Sequence, residues 1–297
     1  MRSFEDIMVK AQQGDKKTLV VAAAHDEVVI KAIVESVKLN VINAILVGNE
    51  EKILEICKKE NLELNNIEII NEKDNVECAK MAVKLVSSGK ADFIMKGMLN
   101  TSDILRQVLN KEYGLRKEKV LSHTMLYSVS TYHKLLFLTD GGMILNPTLE
   151  EKISIINNAV FLANKLGIEK PKVAVLAAVE NVNVAMENTL DAASLTVMCK
   201  RNQIKNCIID GPLALDNAIS IEAAKHKGIT SEVAGDADIL LVPNIEVGNA
   251  LGKALSYFAK AENAGVIMGA KCPIVLVSRA DSEKSKIYSI ALGSLLC

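Results

Sequence analysis

Reactive side chains in this sequence collect at the ends of short apolar runs, and the most informative pair is Ser278-Arg279, which closes the run PIVLVS (273–278). An arginine there offers a planar fork of N–H donors that matches a phosphate, and the serine hydroxyl adds another donor. The same two residues also fit a surface ion pair, and spacing alone leaves both readings open. Asp281 stands two positions after the arginine. Thr101-Ser102-Asp103 followed by Arg106 reads as a helix N-terminus with an arginine one turn on along the same face, a pattern shared by anion sites and by ordinary caps beside a solvated arginine. Asp140-Gly141-Gly142 and Asp210-Gly211-Pro212 put an aspartate directly before glycine, which suits a cleft that receives anionic groups. His25 and His123 read as satisfied structural histidines, and His133 and His226 have no distinguishing context.

Other chemistries lack their signatures. No GxGxxG follows an apolar run, and neither GxxxxGK[ST] nor GxSxG occurs, so a nicotinamide fingerprint, a P-loop and a hydrolase elbow are all absent. The six cysteines are dispersed, with no CxxC pair and no histidine at ligand spacing, so we expect reduced, mostly buried thiols and no metal. With 35 basic and 36 acidic residues, the chain has no long-range field to hold nucleic acid or an anionic membrane. Small molecules are the expected partners. The N-terminus, MRSFEDIMVKAQQGDKK, lacks the basic start and apolar run of an export signal, and no apolar stretch approaches the roughly 18 residues of a spanning helix. We therefore expect a cytoplasmic protein.

These residues need a scaffold, and the pattern supplies an α/β one. At 297 residues with 49% hydrophobic positions, the chain is long enough for two ordinary domains. Nine β-branched runs read as strands: 17–24, 43–48, 67–71, 91–97, 134–140, 172–178, 206–210, 238–243 and 273–278. Most are apolar at consecutive positions, the mark of parallel strands covered on both faces, and nine divide naturally between two sheets. Segments of helical period lie between them, including 27–39, 74–88, 150–166, 216–227, 245–262 and 283–295. Asp74, Asp216 and Ser282 are predicted N-caps, and Gly89 and Gly167 predicted helix ends. We place 1–122 plus 268–297 in a first domain and 123–267 in a second. In such sheets the ligand binds beyond the carboxyl ends of the strands, where helix N-termini offer free amides.

Five ordered motifs then bring a known family into view: TSDILR (101–106), LTDGGMILNPT (138–148), DGPLALDNAIS (210–220), SEVAGDADILLVPNIEVGNALGK (231–253) and CPIVLVSRADS (272–282). With them the chain resembles the phosphate acetyltransferase and phosphate butyryltransferase family over nearly its whole length, and the butyryl-transferring members most. The resemblance implies two α/β/α domains with mainly parallel sheets and an interdomain cleft, isocitrate-dehydrogenase-like. It implies reversible transfer of a short acyl group between coenzyme A and inorganic phosphate: butyryl-CoA with phosphate giving butyryl phosphate and free coenzyme A. Coenzyme A would enter as substrate, with no permanently bound cofactor and no metal, in a homo-oligomer. Acetyl-CoA is the alternative substrate, and a decarboxylating hydroxy-acid dehydrogenase of similar build the more distant reading.

Carried over residue by residue, the resemblance makes Ser278 and Arg279 the pair at the phosphoryl and thioester groups. The family's base toward the thiol is an aspartate six residues after the arginine; here that position is Ser285, which leaves the base open, with Asp281 the nearest carboxylate. Arg106 and Thr101 are expected to hold phosphate or the phosphates of coenzyme A. Asn249 would reach the cleft from the second domain, Asp210 and Gly211 would shape the opposite wall, and Ser122 joins the substrate-binding set.

Overall fold

The computed structural model describes residues 3–278 and 281–297. In chain order the elements begin α1 (Phe4–Gln13), β1 (Lys17–Ala22), α2 (Glu27–Lys38), β2 (Ile42–Gly48), α3 (Glu50–Lys59), β3 (Glu68–Asn71), α4 (Asn75–Ser87), β4 (Phe93–Lys96) and α5 (Thr101–Val108). They continue with β5 (Ser122–Ser128), β6 (Leu136–Thr139), α6 (Leu149–Lys165), β7 (Lys172–Leu176), α7 (Glu187–Lys200), β8 (Ile208–Leu213), α8 (Leu215–Ile219), α9 (Ile221–His226), β9 (Ile239–Leu241) and α10 (Ile245–Tyr257). The last three are β10 (Glu262–Met268), β11 (Ile274–Val275) and α11 (Glu283–Leu295). Two compact units result, Phe4–Lys119 with Ala264–Cys297, and one centred on Val120–Asn263. None of the described helices is long and apolar enough to cross a membrane.

In the first unit the strands lie in the order β3-β2-β1-β4-β11-β10, all parallel except β10, which runs antiparallel to β11. The run Leu19–Ala22 is wholly buried, as consecutive apolar positions require of a strand covered on both faces. Helix α11 packs against α1 and α2, and the rings of Phe4 and Tyr288 stack with centroids 4.5 Å apart. Gly293 lets α11 settle on β4, since a methyl there would stand 2.7 Å from the Phe93 ring. In the second unit the order is β5-β6-β9-β7-β8, parallel apart from the β5–β6 hairpin pair. Its core gathers Tyr127, Leu138, Leu176, Leu213 and Leu240.

The predicted caps at Asp74 and Ser282 form: Asp74 accepts from the amides of Val76 and Glu77, and Ser282 from that of Ser285. Gly89 and Gly167 adopt φ of 76° and 84° just beyond their helices. Several expectations change. The sheets contain two strands the pattern did not show, β5 and β10, and the helical reading of 245–262 overruns α10, which stops at Tyr257. The predicted helix 216–227 is two helices divided at Ser220, and Asp216 is not its cap but lies inside the first turn of α8, 3.1 Å from the Lys227 ammonium. Asp210 and Gly211 do not follow β8; the strand runs on through both to Leu213.

Candidate active site

In the first unit β1, β4 and β11 are parallel neighbours, so the residues that follow them lie along one edge of the sheet. Gly97 follows β4 where a methyl would stand 2.2 Å from the carbonyl oxygen of Ala23, so only glycine lets the chains leave β1 and β4 this close together. Lys96, nearly buried, turns its ammonium onto the carbonyls of Gly97 and Leu99 at 3.3 and 3.0 Å. Thr101 begins α5, and Arg106, on the same short helix, is exposed with its guanidinium 3.9 Å from Asp103. At the end of β1, Asp26 caps α2 by accepting from the Val29 amide. Burial, with the Lys52 ammonium, pulls the neighbouring His25 imidazole below its ordinary pKa. His25 departs from the expected satisfied histidine, because its buried Nδ1 has no hydrogen-bond partner among the described residues.

Beyond β11, Ser278 and Asp281 are tied reciprocally. The Ser278 amide donates to Asp281 Oδ2 at 2.7 Å, and the Asp281 amide donates to the Ser278 carbonyl at 3.1 Å. Lys286, one turn into α11, sends its ammonium to the Asp281 carbonyl at 2.7 Å and to the Ser278 carbonyl at 3.4 Å. Arg279 lies outside the described residues. Ser285, at the position of the family's aspartate, is buried with its hydroxyl 3.0 Å from that of Ser282. A hydroxyl has no charge to lend a departing thiol proton, so no base stands at that position.

In the second unit Asp140 directly follows β6 and is almost fully buried. Its carboxylate accepts from the amides of Gly142, Met143 and Ile144 at 2.9, 3.0 and 3.2 Å and so folds the loop that follows. Desolvation outweighs those bonds and pushes its pKa up to about 6. The His123 imidazole covers Gly142, where a methyl would stand 2.8 Å from Nδ1. Asn249 is exposed on the first turns of α10, and its amide borders this loop, 3.1 Å from where a Gly141 methyl would be. Asp210 and Gly211 sit in β8, separated from β6 by β9 and β7. Ser122 is buried in β5, its hydroxyl accepting from Asn158 Nδ2 at 2.9 Å. The sequence reading passed over Lys286 and left Asp140 without a role.

Mainly parallel sheets with hydroxyl, carboxylate and ammonium groups beyond their carboxyl ends define an α/β enzyme. The chain matches the model of the Phosphate acetyl/butaryl transferase family over residues 3–82 and 74–294, and it belongs to that family. It is 49% identical over 296 residues to a phosphate butyryltransferase of Clostridium acetobutylicum, covering 100% of this chain and 98% of that one. It is 45% identical over 292 residues to a phosphate acetyltransferase of Thermotoga maritima, covering 98% and 99%. Among solved structures, a branched-chain phosphotransacylase of Enterococcus faecalis superposes with a TM-score of 0.84 at 33% identity, covering 94% of this chain and 98% of that one.

Proposed function

We propose that this enzyme moves a short acyl group between coenzyme A and inorganic phosphate, with butyryl-CoA and phosphate giving butyryl phosphate and free coenzyme A. The observation that carries the reading is Ser278, held by Asp281 and Lys286 at the carboxyl end of β11, in a chain that aligns end to end with a phosphate butyryltransferase. A phosphate oxygen attacks the thioester carbon, negative charge gathers on the carbonyl oxygen, and the carbon–sulfur bond breaks to release a thiolate that takes a proton. Such a site must place a multiply charged anion in line and stabilise the oxyanion. Arg279 orients the phosphate by its planar fork, and the Ser278 hydroxyl donates to the carbonyl oxygen. Asp281, the carboxylate bonded to that serine's own amide, carries the thiol proton. Arg106 and Thr101 serve the phosphates of the substrates, and Asn249, beside the Asp140 loop, is a substrate-binding residue of this reading.

Coenzyme A is a substrate in this scheme and no resident cofactor is needed. The same reading makes the protein a cytoplasmic homo-oligomer. Acetyl-CoA is the second substrate to weigh, because the 45% identical Thermotoga maritima relative is a phosphate acetyltransferase. One or two methylenes are worth about 1–3 kcal/mol of discrimination, so the acyl preference is graded. Specificity constants for phosphate-dependent thiol release from acetyl-, propionyl-, butyryl- and isobutyryl-CoA test the reading. The largest value is expected for butyryl-CoA; a larger one for acetyl-CoA makes the enzyme an acetyltransferase.

A further inference from the structure

Lys286 is 3% exposed, yet its burial brings a cost that stability alone does not explain. Desolvation pushes its pKa down, against the upward pull of the Asp281 and Asp26 carboxylates, the charged groups that face it. It also stands in the first turns of α11, near the positive end of the helix dipole, where a cation is disfavoured. A methionine or leucine would fill similar volume without either penalty, and replacing buried charges by apolar residues is often neutral or stabilising. What the ammonium does is specific: it binds both carbonyls of the Ser278–Asp281 turn, at 3.4 and 2.7 Å. The Ser278 carbonyl thereby accepts twice, from Lys286 and from the Asp281 amide, while the Ser278 amide is held by the Asp281 carboxylate. Four bonds converge on two residues that bracket the position of Arg279.

We propose that Lys286 is a positioning residue of the reaction, its ammonium clamping the backbone carbonyls of Ser278 and Asp281 so that the serine hydroxyl is held for the thioester. Its consequence for turnover rests on the acyl-transfer reading above; its consequence for the backbone rests on geometry alone. Lys286 acts through the turn it binds, so its loss weakens alignment more than binding. A misplacement of about 1 Å is enough to lower a rate roughly 100-fold.

The test compares Lys286→Met and Lys286→Arg with the wild-type enzyme by three readouts: kcat and KM for thiol release, thermal unfolding, and hydrogen exchange of the 276–283 peptide. For Lys286→Met the expected result is a kcat lower by at least about tenfold with each KM within about threefold, faster exchange confined to 276–283, and an unfolding temperature not lowered. Lys286→Arg keeps the cation and should recover part of kcat. An unchanged kcat overturns the proposal, as does a loss of kcat that tracks a general loss of stability without faster local exchange. If Lys286→Met fails to fold, Lys286→Gln, which keeps one donor group, is read by the same criteria. Wild-type protein that releases no thiol overturns the acyl-transfer reading instead, and peptide exchange then decides for or against the clamp.

Discussion

Gly141 and Gly248 meet backbone to backbone: a methyl on Gly248 would stand 2.6 Å from the Gly141 Cα, and one on Gly141 would stand 2.8 Å from the Gly248 carbonyl carbon. This contact seats the first turn of α10 on the loop after β6 and brings Asn249 beside Asp140-Gly141-Gly142. Gly248→Ala therefore overpacks a place where main chain, not a flexible side chain, must move. We expect a loss of about 1–3 kcal/mol, read as a lower urea midpoint at unchanged slope. An unaltered midpoint would mean that the loop yields freely.

Asp140 should give stability a pH signature. Its folded pKa, about 6, lies above its ordinary value because burial disfavours the charged form. The folded chain therefore holds this proton more tightly than the unfolded one. The stabilisation is fully present below the unfolded pKa of about 4 and is lost as pH rises to about 6, a change of up to about 3 kcal/mol. Asp140→Asn removes the titration. Unfolding free energies between pH 4 and 7 should fall less steeply with pH in the variant than in the wild type; parallel curves would remove Asp140 as the cause.

If Arg279 orients the phosphate as proposed, Arg279→Ala should lower turnover by about 100-fold or more while the unfolding midpoint stays put. Wild-type turnover in the variant would take this arginine out of the site.

Asp281→Asn separates charge from scaffolding, because the amide keeps an oxygen for the Ser278 N–H and loses only the negative charge. If Asp281 carries the thiol proton, kcat drops by about 100-fold. Ser285→Ala, which deletes a hydroxyl paired with that of Ser282, should change kcat little. The reverse order of effects would assign proton transfer elsewhere.

Local chemistry explains which parts of this structure the sequence disclosed. β1 was legible because LVVA is apolar without interruption and lies between covering helices. β5, SHTMLYS, alternates buried and half-buried positions with Ser, His and Thr among them, so no apolar run announces it. The helical reading of 245–262 overruns α10 because the reversal after Tyr257 uses Lys260 at φ 52°, a left-handed position where a glycine would have signalled the stop, and β10 stays without an assignment. Asp216 looked like a cap by residue type, but Ala214 occupies the cap position and Asp216 pairs with Lys227 instead. At the site, Ser278 and Asp281 were legible as residue types near one strand end, but the turn that two reciprocal bonds close between them was not. Lys286 carried a readable signal as well: it shares one helix face with Ser289 and Gly293, small buried residues that mark close packing, so a lysine in that register is held inside. Asp140 was visible before glycine, but that its carboxylate folds the loop through three amides depends on backbone geometry that residue types do not encode.

The most direct measurement is release of free thiol from butyryl-CoA by the purified protein, with and without phosphate, alongside the appearance of acyl phosphate. The expected result is thiol release that needs phosphate and matches acyl phosphate one for one. Thiol release of equal rate without phosphate, or none from any short acyl-CoA when phosphate is supplied, would contradict it.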